Sequence, residues 1–98
     1  MSMNRQQVLK RLEEHQQDLQ RYHVKRLGLF GSYAREENTE TSDLDFIVEF
    51  KEKSFDNYMD LKFYLEKLFH KQVDLIIEES LKPALKYVKE EAVYAKVL

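Results

Sequence analysis

Apolar residues recur along this chain with two periods. Near the N-terminus Val8, Leu12, Leu19 and Tyr22 return at helical spacing, so residues 5–22 read as one amphipathic helix, with Asn4 and Gln7 as its capping box. "VKRLGLFG" then reads as a short strand, with Leu27 and Leu29 on one face and Phe30 on the other. "SYAREE" reads as a helical turn and "NTETS" as a polar loop. In "DLDFIVEF" the alternation predicts a strand with Leu44, Phe46, Val48 and Phe50 on one face and Asp43, Asp45, Ile47 and Glu49 on the other. Ser54 caps a following helix whose stripe is Tyr58, Leu61, Leu65 and Leu68, ending near Phe69. "QVDLII" is a third strand, with Asp74 opposite Val73, Leu75 and Ile77. Ser80 is expected to cap a last helix that holds Pro83 in its first turn, and "AVYAKVL" fits either a helical extension or an edge strand. The order predicts an α/β (α+β) domain with a small mixed sheet flanked by helices.

The unusual stretch is "FGSYAREENTETSDLDF". Residues two apart on a strand project from one face with Cα atoms about 6.5–7 Å apart, so Asp43 and Asp45 point together. Adjacent like charges raise each other's pKa, and a divalent cation between them relieves the repulsion. If the third strand lies beside the second, Asp74 joins them, and three carboxylates supply what a two-metal phosphoryl-transfer site needs. Gly31 and Ser32 end the first strand and open a turn. Glycine lets a phosphate approach the backbone, and Ser32 offers a hydroxyl and an ordinary N-cap. The bland reading of the aspartates is a strand entry with a solvated face, and of Asp74 alone a surface carboxylate on an edge strand.

Composition narrows the field. A chain of 98 residues is expected to form a single domain, residues 1–98, with one modest core. It has no cysteine, hence no disulfide framework and no thiolate metal site. Without a signal-peptide-like or membrane-spanning apolar run, a soluble cytoplasmic protein is expected. The net charge of −2 is unevenly spread: residues 27–57 hold three basic and eight acidic groups. That acidic middle is a poor surface for nucleic-acid phosphate, so no direct nucleic-acid contact is expected. His15, His23 and His70 lack metal-ligand spacing and read as surface or structural. Phe55, Tyr58, Phe63, Tyr64 and Phe69 exceed one helical stripe, which leaves some for a partner to cover. No Gly-x-x-x-x-Gly-Lys-Ser/Thr run is present, so the P-loop is excluded.

Gly31-Ser32, ten residues, then Asp43-Leu44-Asp45, with a later "VDLI" carrying Asp74, resembles the nucleotidyltransferase superfamily that includes DNA polymerase beta, and in particular its minimal nucleotidyltransferase (MNT) members. The resemblance extends through "LGLFGSYARE" and "SDLDFIVEF", and less specifically through "SLKPALKYVKEEAVYA". It implies a nucleotidyltransferase-like fold and a Mg2+-dependent transferase using ATP. Asp43 and Asp45 would bind the two Mg2+ ions that hold the triphosphate. Asp74 would bind the second metal and help deprotonate the acceptor, and Gly31 and Ser32 would hold the terminal phosphates. Arg35 would stabilise phosphate charge, or pair with Glu37 or Asp43. Small MNT proteins are commonly the antitoxins of HEPN-family RNase toxins, so the resemblance implies transfer of AMP to a tyrosine of a HEPN partner. Glu36 stands where the family often has glycine, so the turn after Arg35 is expected to differ. Two other classes stay open: a non-catalytic module that neutralises a partner by contact, and a transferase acting on a small molecule or an RNA end.

Overall fold

A computed structural model describes residues 3–97. The N-terminal capping box forms as the sequence predicts: Gln7 N–H donates to Asn4 Oδ1 at 2.8 Å, and Asn4 N–H to Gln7 Oε1 at 2.9 Å. The expected single helix is two, α1 (Arg5–Glu14) and α2 (Gln16–Arg21), broken at His15. There His15 Nδ1 donates to the Arg11 carbonyl at 2.8 Å, and the backbone turns with a tighter bond to Leu12. The apolar stripe survives the break, since Val8, Leu12 and Leu19 are all buried.

Four strands follow the order β3-β2-β1-β4. β1 (Val24–Phe30) and β2 (Leu44–Phe50) form an antiparallel pair with Leu27 opposite Val48, Leu29 opposite Phe46 and Phe30 opposite Asp45. Between them lie the one-turn helix α3 (Gly31–Ala34) and the polar loop. Helix α4 (Phe55–Phe69) carries the chain across to β3 (Val73–Ile77), which pairs with β2 in parallel. Ser54 caps α4 by accepting the Asn57 N–H at 3.0 Å. Two short 3-10 turns, Glu78–Ser80 and Pro83–Leu85, precede α5 (Lys86–Glu91). Ser80 therefore caps no helix: Pro83 opens a separate turn, and α5 starts only at Lys86. Val93–Tyr94 then form β4, an edge strand antiparallel to β1, while Leu98 lies outside the described residues.

One face of the sheet carries the core. Leu27, Leu29, Leu44, Phe46, Val48, Val73 and Leu75 pack against Val8, Leu12, Leu19, Leu61, Leu65 and Phe69 from the helices. Tyr58 and Tyr64 are partly buried against this core, and each hydroxyl finds an acceptor, Leu75 O at 2.7 Å and Asp18 at 2.9 Å. Phe55 and Phe63 remain exposed, at 72% and 58%. On the opposite face Ile47 and Val88 are buried outside that core. Gly28 is required there: a Cβ would meet the Tyr94 ring at 2.9 Å and Ile47 at 3.2 Å. Among the described residues, no helix is long and apolar enough to cross a membrane.

Candidate active site

The hairpin and the parallel ladder together gather the singled-out residues at one end of the sheet. Phe30 pairs with Asp45, so the turn that begins at Gly31 rises directly beside that carboxylate. Asp45 in turn pairs with Asp74 across the parallel ladder, which brings two of the three acids side by side. Asp43 is not within the strand: β2 starts at Leu44, and Asp43 is the exposed residue before it. Among the described residues no three Asp, Glu, His or Cys side chains close on one point at metal-binding distance. Asp43 acts on Asp45 through space instead.

Asp45 is the perturbed member. Its pKa is pushed up to about 6, first by burial, then by the neighbouring Asp74 carboxylate, which lies within hydrogen-bonding reach and repels it, then by Asp43; Arg35 opposes the rise. Asp45 therefore takes up its charge reluctantly beside the Asp74 carboxylate. Their oxygens are the donors that a hard divalent cation takes, so the donor set fits Mg2+.

Gly31 has φ +74°, and the place of its missing side chain is filled by the Asp45 carboxylate. Any other residue would be both strained and in collision there. The cap position of α3 is Phe30, with no side-chain bond, so Ser32 is not the N-cap and its hydroxyl is not spent on the helix start. Arg35 pairs with Glu37 (Nε to Oε1, 3.4 Å), as anticipated, but its closer partner is Glu91 on α5, at 2.9 Å. The same Glu91 oxygen accepts the Gly31 N–H at 2.8 Å. Glu36 adopts φ 60°, the left-handed conformation that a glycine takes without cost, so the turn keeps a glycine-like path despite the side chain.

Two supporting residues carry no local signal in the sequence. Glu91 reaches the glycine turn from 60 positions away. Lys71 donates to the carbonyls of Glu40 (2.8 Å) and Ser42 (3.1 Å), pinning the loop that delivers Asp43. In sequence both look like solvated surface charges. The three histidines are at the surface: His15 donates to a carbonyl, and His23 and His70 take up left-handed backbone at turns.

Comparison with known proteins gives the family of the chain. The family model of the nucleotidyltransferase domain matches residues 6–98. Protein adenylyltransferase MntA of Thermococcus cleftensis is 42% identical over 86 residues, covering 85% of this chain and 87% of the relative. A Methanocaldococcus jannaschii protein, MJ1379, provisionally named a protein adenylyltransferase, is 45% identical over 89 residues, with 85% and 89% covered. A solved structure provisionally described as a minimal nucleotidyltransferase superposes with a TM-score of 0.80 at 35% identity, covering 93% of this chain and 95% of that one. The MNT antitoxin complexed with tri-AMPylated HEPN toxin of Shewanella oneidensis shares the fold, with a TM-score of 0.65 at 20% identity and 92% and 70% coverage. On the family match and these relatives, the chain belongs to the nucleotidyltransferase family and, within it, to the minimal nucleotidyltransferases.

Proposed function

We propose that this nucleotidyltransferase is the antitoxin of a two-protein module, transferring AMP from ATP to a tyrosine of a HEPN-family toxin. The observation that carries the transferase chemistry is the registered pair Asp45 and Asp74 beside the Gly31 turn. The relatives named as protein adenylyltransferases, and the fold shared with an antitoxin of an AMPylated toxin, support a protein acceptor. Asp45 and Asp74, with Asp43 reaching in from the loop, would hold two Mg2+ ions, whose chemistry there would be to neutralise charge on the triphosphate. Gly31 and Ser32 receive the terminal phosphates, Ser32 through its hydroxyl, while the Gly31 N–H stays on Glu91, and Arg35 adds a positive charge beside the carboxylates. The acceptor hydroxyl oxygen attacks the α-phosphorus, the bond from that phosphorus to the bridging oxygen breaks, and pyrophosphate leaves. Asp74, the more exposed of the pair, accepts the hydroxyl proton. The module acts in the cytoplasm, where ATP is available.

The test is incubation with labelled ATP, Mg2+ and the product of the neighbouring gene. Label should appear on that protein with wild type and not with Asp45→Asn. An active preparation that leaves the partner unlabelled removes the proposal. A second reading, neutralisation by contact alone, draws on the exposed Phe55, Phe63, Leu85 and Tyr87. It requires that the Asp43→Asn/Asp45→Asn double variant still protects cells.

A further inference from the structure

Glu91 lies outside the acidic motif, on a helix that reaches the glycine turn only through the fold. One oxygen of its carboxylate accepts two donors, the Gly31 N–H at 2.8 Å and Arg35 Nη1 at 2.9 Å. Its position follows from the sheet. β4 pairs with β1 only at Gly28 and Leu29, and Ala92, just before β4, gives its N–H back to Val88 in α5. Two residues beyond Leu29, the Gly31 N–H therefore has no β4 carbonyl to meet, and the Glu91 side chain takes that place. The carboxylate is only 23% exposed, so both bonds are partly shielded from water.

These two donors flank the acids. Gly31 holds left-handed backbone against Asp45, and the Arg35 charge opposes, as the smallest contribution, the rise in the Asp45 pKa. A turn at φ +74° followed by a four-residue helix has few bonds of its own to fix its orientation. We infer that Glu91 is a positioning residue: it fixes the Gly31 turn and aims Arg35 so that both present themselves to the triphosphate of a bound nucleotide. The inference rests on the nucleotide-site reading above. The opposite role is also chemically defined, because a carboxylate on an N–H and a guanidinium occupies a place that suits a phosphate. If Glu91 were such a plug, its removal would tighten nucleotide binding. The two roles differ in sign.

The experiment uses the full chain and Mg·ATP as the probe, with affinity from titration calorimetry at fixed ionic strength, so no acceptor protein is needed. Glu91→Ala should weaken Mg·ATP binding about tenfold, through loss of two charge-assisted bonds. Glu91→Gln keeps a neutral acceptor for Gly31 and should weaken it by about threefold, which also serves if the alanine variant fails to fold. With Arg35→Ala already present, Glu91→Gln should have little further effect, since the two act through one contact. A second readout is independent of nucleotide. The chain has only two glycines, so a 15N-glycine spectrum holds two backbone signals; Gly31 should shift upfield in Glu91→Ala while Gly28 stays. Unchanged affinity in both Glu91 variants, or tighter binding in either, overturns the positioning role and leaves the nucleotide site standing. Wild-type protein that binds no Mg·ATP overturns the nucleotide-site reading, and the positioning role falls with it.

Discussion

The two faces of the sheet are built on different principles. The helix-covered face is a continuous apolar layer in which Phe46, Leu27, Leu29 and Leu44 have almost no exposure. The other face is a patchwork. At one end Glu78 gathers Arg26 (3.9 Å), Lys89 (3.5 Å) and the Tyr94 hydroxyl (3.3 Å), with the Arg26 guanidinium 4.2 Å from the Tyr94 ring centre. In the middle Gly28 faces the Tyr94 ring and Ile47 closely. At the other end Asp45 and Asp74 face each other, carboxylate against carboxylate. The first face holds the chain folded, through burial worth about 25 cal/mol per Å2 of apolar surface. The second keeps like charges together at the cost of some stability, and that concession marks where ligand chemistry is expected.

Substitution should separate the two faces by sign as well as size. Phe46→Ala on the helix face should destabilise the fold by about 3–5 kcal/mol, read from denaturant midpoints. A loss below about 1 kcal/mol would mean that the apolar layer is redundant. Asp45→Asn on the other face should raise the stability of the ligand-free protein, by less than about 1 kcal/mol because the pair is partly exposed and screened. It should also abolish the rise in melting temperature that Mg·ATP is expected to give the wild type by linkage. A clear loss of ligand-free stability would instead make Asp45 a structural acceptor.

Acidity sharpens the contrast further. The Asp45 carboxyl titrates near 6 in the folded state, above its ordinary value of 3.8. Between those values the folded chain binds more protons than the unfolded one, so stability from this group grows as pH falls through about 6 and is complete below about 4. The wild-type melting temperature should therefore be higher at pH 5.5 than at pH 7.5, and Asp45→Asn should flatten that difference. An unchanged slope in the variant would assign the pH dependence to other groups. The smallest effect is expected at the turn. Glu36→Gly relieves left-handed backbone but removes a 3.5 Å ion pair with Arg5 that is largely in solvent. The net gain should be below about 1 kcal/mol, visible as a small rise in melting temperature.

The sequence shows where its patterns are strong. The alternation in residues 44–50 located β2 because one face had to be apolar, and Ser54 located α4 because its hydroxyl meets an orphan N–H. The same alternation, run one residue too far, placed Asp43 inside the strand. β4 could not be decided from sequence, since a two-residue strand has no period and exists only because β1 offers it an edge. The break at His15 leaves the apolar spacing intact and so gives no signal in it. Ser80 resembled a cap, but Pro83 set up its own turn before α5. Of the candidate site, the pairing of Asp45 with Asp74 was legible once the two strands were taken as neighbours. Glu91 and Lys71 were not, because their partners lie far off in the chain and both are common surface residues.

The single parallel ladder in an otherwise antiparallel sheet has a kinetic consequence. The β1–β2 hairpin closes a short loop, so the glycine turn and Asp45 should meet early in folding. Asp74 can arrive only after α4 has been laid across the sheet, and the contact of Glu91 with Gly31 spans a far longer stretch of chain. Mutual repulsion of the acids therefore acts on the docking of β3 rather than on the hairpin, and a divalent cation present during refolding should speed the late phase while leaving the early one unchanged.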